Sequence, residues 1–215
     1  PPYNYMKDGN VTGLSVDILD EIFKKAGASI NANEVKLYPW ARGYNDVLNN
    51  PDTCLFLMTK TEERIPLFKW VGPVIAAKIV LIAKKNKTIR IANYTDIAKY
   101  KVGVVRNDVA HQILISEKVP DSSLDIVSET KLNINKIQAD RIDMIAYDEK
   151  VIFWEIKNAG IDTSLYETVF LLKSGEMFYA FHKNTDDALI NNLQTIFNGL
   201  KQDGTCDAIV GKYTK

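Results

Sequence analysis

Cys54-Leu55-Phe56-Leu57-Met58-Thr59-Lys60-Thr61-Glu62-Glu63-Arg64 is the stretch whose reading decides the fold. Its apolar half follows the turn signal Asn50-Pro51-Asp52 and is short and continuous, so it reads as a buried strand. The strand delivers hydroxyls, and then an arginine, to its carboxyl end. In open α/β sheets that end is where ligands bind. A guanidinium offers a planar fork of donors that matches a carboxylate bidentately. Taken alone, the stretch favours reading Arg64 as a solvated counter-charge to Glu62 and Glu63, because a T-x-x-R spacing is a weak signal.

Working outward, the flanking sequence alternates helices and strands, which predicts an α/β fold. Ser15 is expected to cap a helix carrying Val16, Leu19, Ile22, Phe23 and Ala26 on one stripe, with Gly27 as its stop. Val35 and Leu37 mark a short strand. Pro39 suits the first turn of a second helix, with Ala41, Tyr44, Val47 and Leu48 inward. A long apolar strand runs from Ile75 to Ala83, and Lys84-Lys85-Asn86-Lys87 breaks the pattern.

A second α/β unit follows. Strands are expected at 101–105, 124–127 and 144–146, the last ending in Tyr147-Asp148-Glu149. Asp108 reads as the cap of a helix reaching Glu117. Leu132, Ile134 and Ile137 mark another helix, and 150–158 a third, ended by Gly160. Val169–Leu172 and Met177–His182 read as two further strands. An amphipathic helix spans about 186–200, and a short one begins near Thr205. Two extended segments, about 78–86 and 177–184, would then join two lobes, 1–83 with 184–215 and 84–183. Such a hinge closes lobes on a small ligand. A single sheet with a long loop at 84–97 has the same periodicity.

Composition narrows the function classes. With 46% hydrophobic residues over 215, the chain can bury a core without staples. A formal net charge of zero argues against a nucleic-acid footprint, which needs a basic face. No apolar run has the length of a membrane span. The chain opens at Pro1-Pro2 without the charged-then-apolar lead of a signal peptide, as a mature, processed chain would. Cys54 and Cys206 are too few for a disulfide framework and lack metal spacing. In a secreted protein such a pair could form a disulfide; two free thiols are the expectation, since Cys54 reads as strand core. His111 and His182 have no partner in a nucleophilic arrangement, and no H-E-x-x-H, P-loop or G-x-G-x-x-G is present. No catalytic residue, metal or cofactor is therefore expected.

Several segments, in order, resemble one family. They are Pro1-Pro2-Tyr3-Asn4-Tyr5-Met6, Asp8-Gly9-Asn10-Val11-Thr12-Gly13-Leu14-Ser15-Val16-Asp17, Tyr38-Pro39-Trp40-Ala41-Arg42, Thr61-Glu62-Glu63-Arg64, Leu67-Phe68-Lys69-Trp70-Val71-Gly72-Pro73, Lys101-Val102-Gly103-Val104-Val105, Asp140-Arg141-Ile142-Asp143-Met144 and Leu200-Lys201-Gln202-Asp203-Gly204-Thr205. Together they resemble the bacterial extracellular solute-binding proteins of family 3, the polar amino-acid receptors of ABC importers. The resemblance implies an α/β, two-lobed type II periplasmic binding fold with a hinge of two crossing strands and a ligand cleft. It implies a monomer, periplasmic or extracellular, whose signal peptide has been removed. Such a protein captures a zwitterionic or anionic ligand, an amino acid or derivative, and delivers it to a membrane permease. The same fold serves sensor domains of signalling receptors, and some dehydratases use it.

By position, the resemblance gives Arg64 the ligand's carboxylate, Thr59 a supporting contact and Asp148 the ammonium. The chemistry agrees, because a zwitterion entering a dry cleft needs an opposite charge at each end. Asp148 also reads as a plain helix cap. Trp40 is placed on the specificity wall, where it could stack on a ligand, or else in the core. Tyr3 and Tyr5 are expected on the same wall, or as loop packing. Arg42 reads as cleft-reaching or as a solvated helix residue. The loop after the Gly-Val-Val strand departs from the family, reading Arg106-Asn107-Asp108-Val109 where Ser or Thr is usual. Backbone N–H groups there could still hold an anion, and Arg106 adds charge. Leu57 and Met58 stand where more polar residues are common. The family has a strand immediately before Pro-Pro-Tyr, and the sequence starts after that point, as a trimmed chain is expected to.

Overall fold

The computed structural model describes residues 1–28 and 35–213. It opens with a hairpin that the periodicity did not signal. Strands β1 (Tyr5–Lys7) and β2 (Asn10–Thr12) pair antiparallel around Asp8-Gly9. Both turn residues have positive φ, 50° and 80°, the need that Asp-Gly meets in a two-residue hairpin. Three-residue strands are too short for alternation to register.

Helix α1 (Leu14–Lys25) follows; of the predicted stripe Leu19 and Ile22 are buried while Val16, Phe23 and Ala26 are half-buried, and the buried face is completed instead by Leu14 and Ile18. Its cap is Gly13 and not Ser15. The first turn is satisfied by the chain before it, since the Leu14 and Ser15 N–H groups donate to the Pro2 and Tyr3 carbonyls. Ser15 is buried and turns its Oγ back to the Tyr3 carbonyl at 2.8 Å. Gly13 sits at φ 131°, and a Cβ there would lie 2.2 Å from the Tyr3 oxygen, so this crossing requires glycine.

Residues 35–39 form no strand, and Leu37 is exposed. Among the described residues nothing pairs with them, and a lone strand has no ladder to stabilise it; residues 29–34 lie outside the description. Helix α2 (Trp40–Asn49) buries Gly43, Tyr44 and Val47. Strand β3 (Cys54–Thr59) runs as the opening stretch predicts. Strand β4 (Phe68–Lys84) is longer than expected and continues through Gly72-Pro73. There the side-chain amide of Gln194 bonds the backbone, accepting from the Gly72 N–H and donating to its carbonyl.

Past the lysine run come α3 (Tyr94–Ile97), β5 (Val102–Val105), α4 (Val109–Ser116), β6 (Leu124–Val127), α5 (Thr130–Gln138), β7 (Met144–Asp148) and α6 (Glu149–Asn158). The two strands expected at 169–172 and 177–182 are one, β8 (Tyr166–His182). The polar Lys173-Ser174-Gly175 interrupts the apolar pattern without bending the extended backbone. Helices α7 (Asp187–Gln202) and α8 (Thr205–Tyr213) complete the chain.

The strand order is β3-β8-β4-β7-β5-β6. Strand β3 pairs antiparallel with β8, and β4 with β7, while β5 runs parallel to β6 and β7. The chain divides into two compact units. Unit 1 is Pro1–Tyr38, Arg42–Ala76 and Glu176–Lys215; unit 2 is Pro39–Ala41 and Ala77–Gly175.

In unit 1, α1, α7 and α8 pack together, burying Leu193, Phe197, Leu200 and Ile209. Tyr213 locks α8 in place, its hydroxyl donating to Asp17 at 2.9 Å. Cys54 and Cys206 are both in this unit and both free thiols. The core of unit 2 is Val80, Ile82, Ile134, Ile137, Ile142, Ile145, Ile152, Ile156 and Tyr166. No helix of the described residues is long and apolar enough to cross a membrane.

Candidate functional site

Unit 1 builds its candidate group at the carboxyl end of β3. The strand ends at Thr59, and a turn brings the chain back, with the Arg64 and Ile65 N–H groups donating to the Thr61 carbonyl. This return folds the Arg64 side chain against the strand end. Its Nη1 donates to the Thr59 carbonyl at 3.2 Å, and its Cζ lies 5.4 Å from the Tyr44 ring centroid. Arg64 is only 1% exposed. That overturns the reading of a solvated counter-charge, since Glu62 and Glu63 are exposed while the arginine is not. A guanidinium held this way has the planar donor fork that matches a carboxylate.

Thr59 is thus brought to Arg64, itself buried. Thr61 is also buried, and its hydroxyl has no hydrogen-bond partner among the described residues. Lys60 lies over the Trp70 and Phe178 rings, which meet edge to face. Tyr3 is buried, its carbonyl held over the start of α1, and Tyr5 is half-buried in β1. Arg42 is exposed and stacks on Tyr38, with Cζ 3.9 Å from the ring centroid. Hence Thr59, Arg64 and Tyr44 form one group, and Arg42 is engaged separately by Tyr38. Tyr44 was assigned only to the core by its helical spacing; no sequence signal placed an arginine beside it. A cavity of about 370 Å³ in unit 1, lined by Leu19, Phe23, Gly43, Cys54, Leu55 and others, contains none of the predicted residues.

Unit 2 builds its group at the carboxyl ends of two adjacent parallel strands, β5 and β7. Asp148 ends β7, and its Oδ1 accepts the Val151 N–H at 3.1 Å, capping α6. It is 5% exposed. Asp108 follows β5, is also buried, and caps α4 through the Ala110 N–H at 2.9 Å. Tyr147 lies close enough to both carboxylates to feel their charge, and burial first, then Asp108, pushes its hydroxyl above the usual phenol range. Unit 2 therefore carries a buried, helix-capping carboxylate at or just past the end of each of these two strands.

Between β5 and α4 lies the Arg106-Asn107 turn. It is closed by the Asp108 N–H donating to the Val105 carbonyl, with Asn107 at φ 59° in the third position. The Trp40 indole N–H donates to the Asn107 carbonyl at 2.8 Å, so these two predicted residues meet. The Asn107 N–H donates to Nδ1 of buried His111 at 3.1 Å. His111 carried no functional reading in the sequence, although its four-residue spacing from Asn107 is the signal that finds it. His182 likewise accepts a backbone amide, from Asn184. Among the described residues no group of three or more His, Cys, Asp or Glu could hold a metal ion.

Comparison with known proteins identifies the family. The family model described as bacterial extracellular solute-binding proteins, family 3, matches residues 1–215. The chain belongs to this family. A curated relative, the "Probable histidine-binding protein" of Campylobacter jejuni, is 23% identical over 217 residues, covering 99% of this chain and 80% of the relative. Among solved structures, a histidine kinase sensor domain similar to periplasmic binding proteins superposes with a TM-score of 0.87 at 17% identity, covering 100% of this chain and 91% of that one. An ancestral arginine-binding protein bound to arginine gives 0.84 at 22% identity, covering 100% and 94%. These likenesses establish the type II periplasmic binding fold for this family 3 chain.

Proposed function

We propose that this family 3 protein is an extracytoplasmic receptor for a free amino acid, which it delivers to the permease of an ABC importer. The observation that carries the reading is Arg64, buried to 1% at the carboxyl end of β3 and oriented by the Thr59 carbonyl. It supplies a carboxylate anchor. Asp148 in unit 2 supplies an anchor for an ammonium, and a zwitterion is the ligand class that uses both. Trp40, Tyr3, Tyr5, Arg106 and Asn107 are proposed to shape specificity. The second buried carboxylate, Asp108, favours a ligand carrying additional positive charge. Relatives named for histidine and arginine are in keeping with that preference.

Isothermal titration of the twenty L-amino acids, with ornithine and small carboxylates added, tests the reading. A cationic amino acid is expected to bind, and Arg64→Ala to weaken it about a hundredfold or more with the fold intact. Arg64→Lys restores only part, because a point charge cannot reproduce the fork. Silence across the panel, or wild-type affinity in Arg64→Ala, sinks the proposal. A sensor-domain role would use the same ligand chemistry, and the likeness to a histidine kinase sensor domain keeps it as the second reading. Uptake of the bound amino acid, lost when the gene is deleted, separates transport from sensing.

A further inference from the structure

Asn107 is pinned from two sides by side chains. Its carbonyl takes the Trp40 indole N–H, and its own N–H goes to His111 Nδ1. The neighbouring peptides are fixed as well, by Arg106 N–H to the Val127 carbonyl and Asp108 N–H to the Val105 carbonyl. Asn107 at φ 59° lies in the left-handed region, which asparagine adopts more readily than most L-residues and which suits the third position of a turn. An imidazole accepts at Nδ1 only when it is neutral and carries its proton on Nε2. Once protonated, both ring nitrogens are donors, and Nδ1–H would face the Asn107 N–H.

We propose that neutral His111 is the positioning residue of the Arg106-Asn107 turn, and that its protonation releases the turn and the Trp40 contact built on it. The inference rests on the reading of Trp40, Arg106 and Asn107 as ligand-facing, and makes that part of the protein acid-sensitive. The charged groups that bear on the imidazole are Arg106, which opposes protonation, and Asp121, which favours it; burial opposes it most. The net effect holds His111 below the ordinary histidine value. The turn is therefore fully held above about pH 6.5 and is lost as the pH falls through the lowered value.

The test uses ¹⁵N-labelled, ligand-free protein titrated from pH 7.5 to 4.5. The chain has two histidines, so His182 serves as the internal reference. At pH 7.5 the His111 proton is expected on Nε2. The Asn107 amide and the Trp40 indole N–H are expected to move together, with one midpoint below 6.5. His111→Gln, whose Oε1 accepts at every pH, should keep the neutral-pH Trp40 resonance and abolish the transition. His111→Leu should place both resonances at their acid positions already at pH 7.5. A proton on Nδ1 at pH 7.5, or a His111 titration that Asn107 and Trp40 ignore, overturns the proposal. Should His111→Leu fail to fold, the wild-type titration and His111→Gln still decide. No amino acid enters this experiment, so its failure and that of the receptor reading are distinguishable.

Discussion

Asp148 carries two readings, helix cap and ammonium ligand, and one substitution separates them. Its Oδ1 accepts the Val151 N–H at 3.1 Å, which is the capping bond of α6. Asparagine is as good a cap as aspartate, so Asp148→Asn keeps that bond through its amide oxygen and costs at most a few tenths of a kcal/mol of stability. Asp148→Ala removes the bond and costs about 1 kcal/mol. The charge behaves differently. At 5% exposure, water screens it little, and losing one partner of a buried charge pair typically costs about 2–5 kcal/mol. That corresponds to roughly thirty- to several-thousand-fold in affinity. Denaturant melts and calorimetry with the amino acid found by the panel should therefore show Asp148→Asn nearly as stable as wild type and at least about thirtyfold weaker in binding. Wild-type affinity in Asp148→Asn would reduce Asp148 to a cap and remove the ammonium anchor from the model of recognition.

Three further outcomes follow from the packing. Gly13→Ala puts a Cβ 2.2 Å from the Tyr3 oxygen at a φ of 131°, and should destabilise unit 1 by about 3 kcal/mol or more, read as a lowered denaturant midpoint; an unchanged midpoint would mean the Tyr3 segment is not fixed over α1. Cys206 is buried, which raises its pKa, while Cys54 is half-buried, so Ellman's reagent at pH 8 should count at most one fast-reacting thiol in the native protein and two in guanidinium; two fast native thiols, or none after denaturation, would contradict the structure. Asn133 is fully buried with both amide atoms lacking partners among the described residues, so Asn133→Leu, of similar shape, should raise stability by about 1 kcal/mol or more. A loss in urea melts would show that the amide is satisfied after all.

The legibility of this chain tracks burial and turn chemistry. The β3, β5, β6 and β7 strands were readable because each is a short apolar run bounded by breakers, and the α4 and α6 caps because Asp108 and Asp148 directly precede helical spacing. Ser15 misled, since a serine before an apolar stripe usually caps, whereas here the start of α1 is satisfied by the Pro2 and Tyr3 carbonyls, a non-local arrangement no window contains. The start expected for β4 at Ile75 and the gap expected between 172 and 177 were composition without geometry; Gln194, far away in sequence, bonds the backbone at Gly72 within β4. Of the candidate residues, Arg64 was found as a motif, but its burial, and Tyr44 beneath it, depend on tertiary packing. His111 was missed because its role is exerted on a backbone amide.

The two readings of Asp148 are not alternatives in physical terms. A carboxylate that accepts an N–H from the first turn of a helix is oriented by that bond and keeps its charge, because the helix N-terminus favours an anion. Its rotamer freedom is already lost in folding, so binding a cation does not cost that entropy again. Asp148 and Asp108 are both built this way, one ending β7 and one following β5. Arg64 is treated likewise in unit 1, with one N–H group committed to the Thr59 carbonyl and its face near Tyr44. In each case the residue's structural bond fixes the charge in place before any ligand arrives. A receptor of the kind proposed, assembled from such residues, would gain affinity through preorganisation, and its proposed anchors should therefore tolerate substitutions that keep the structural bond far better in stability than in binding.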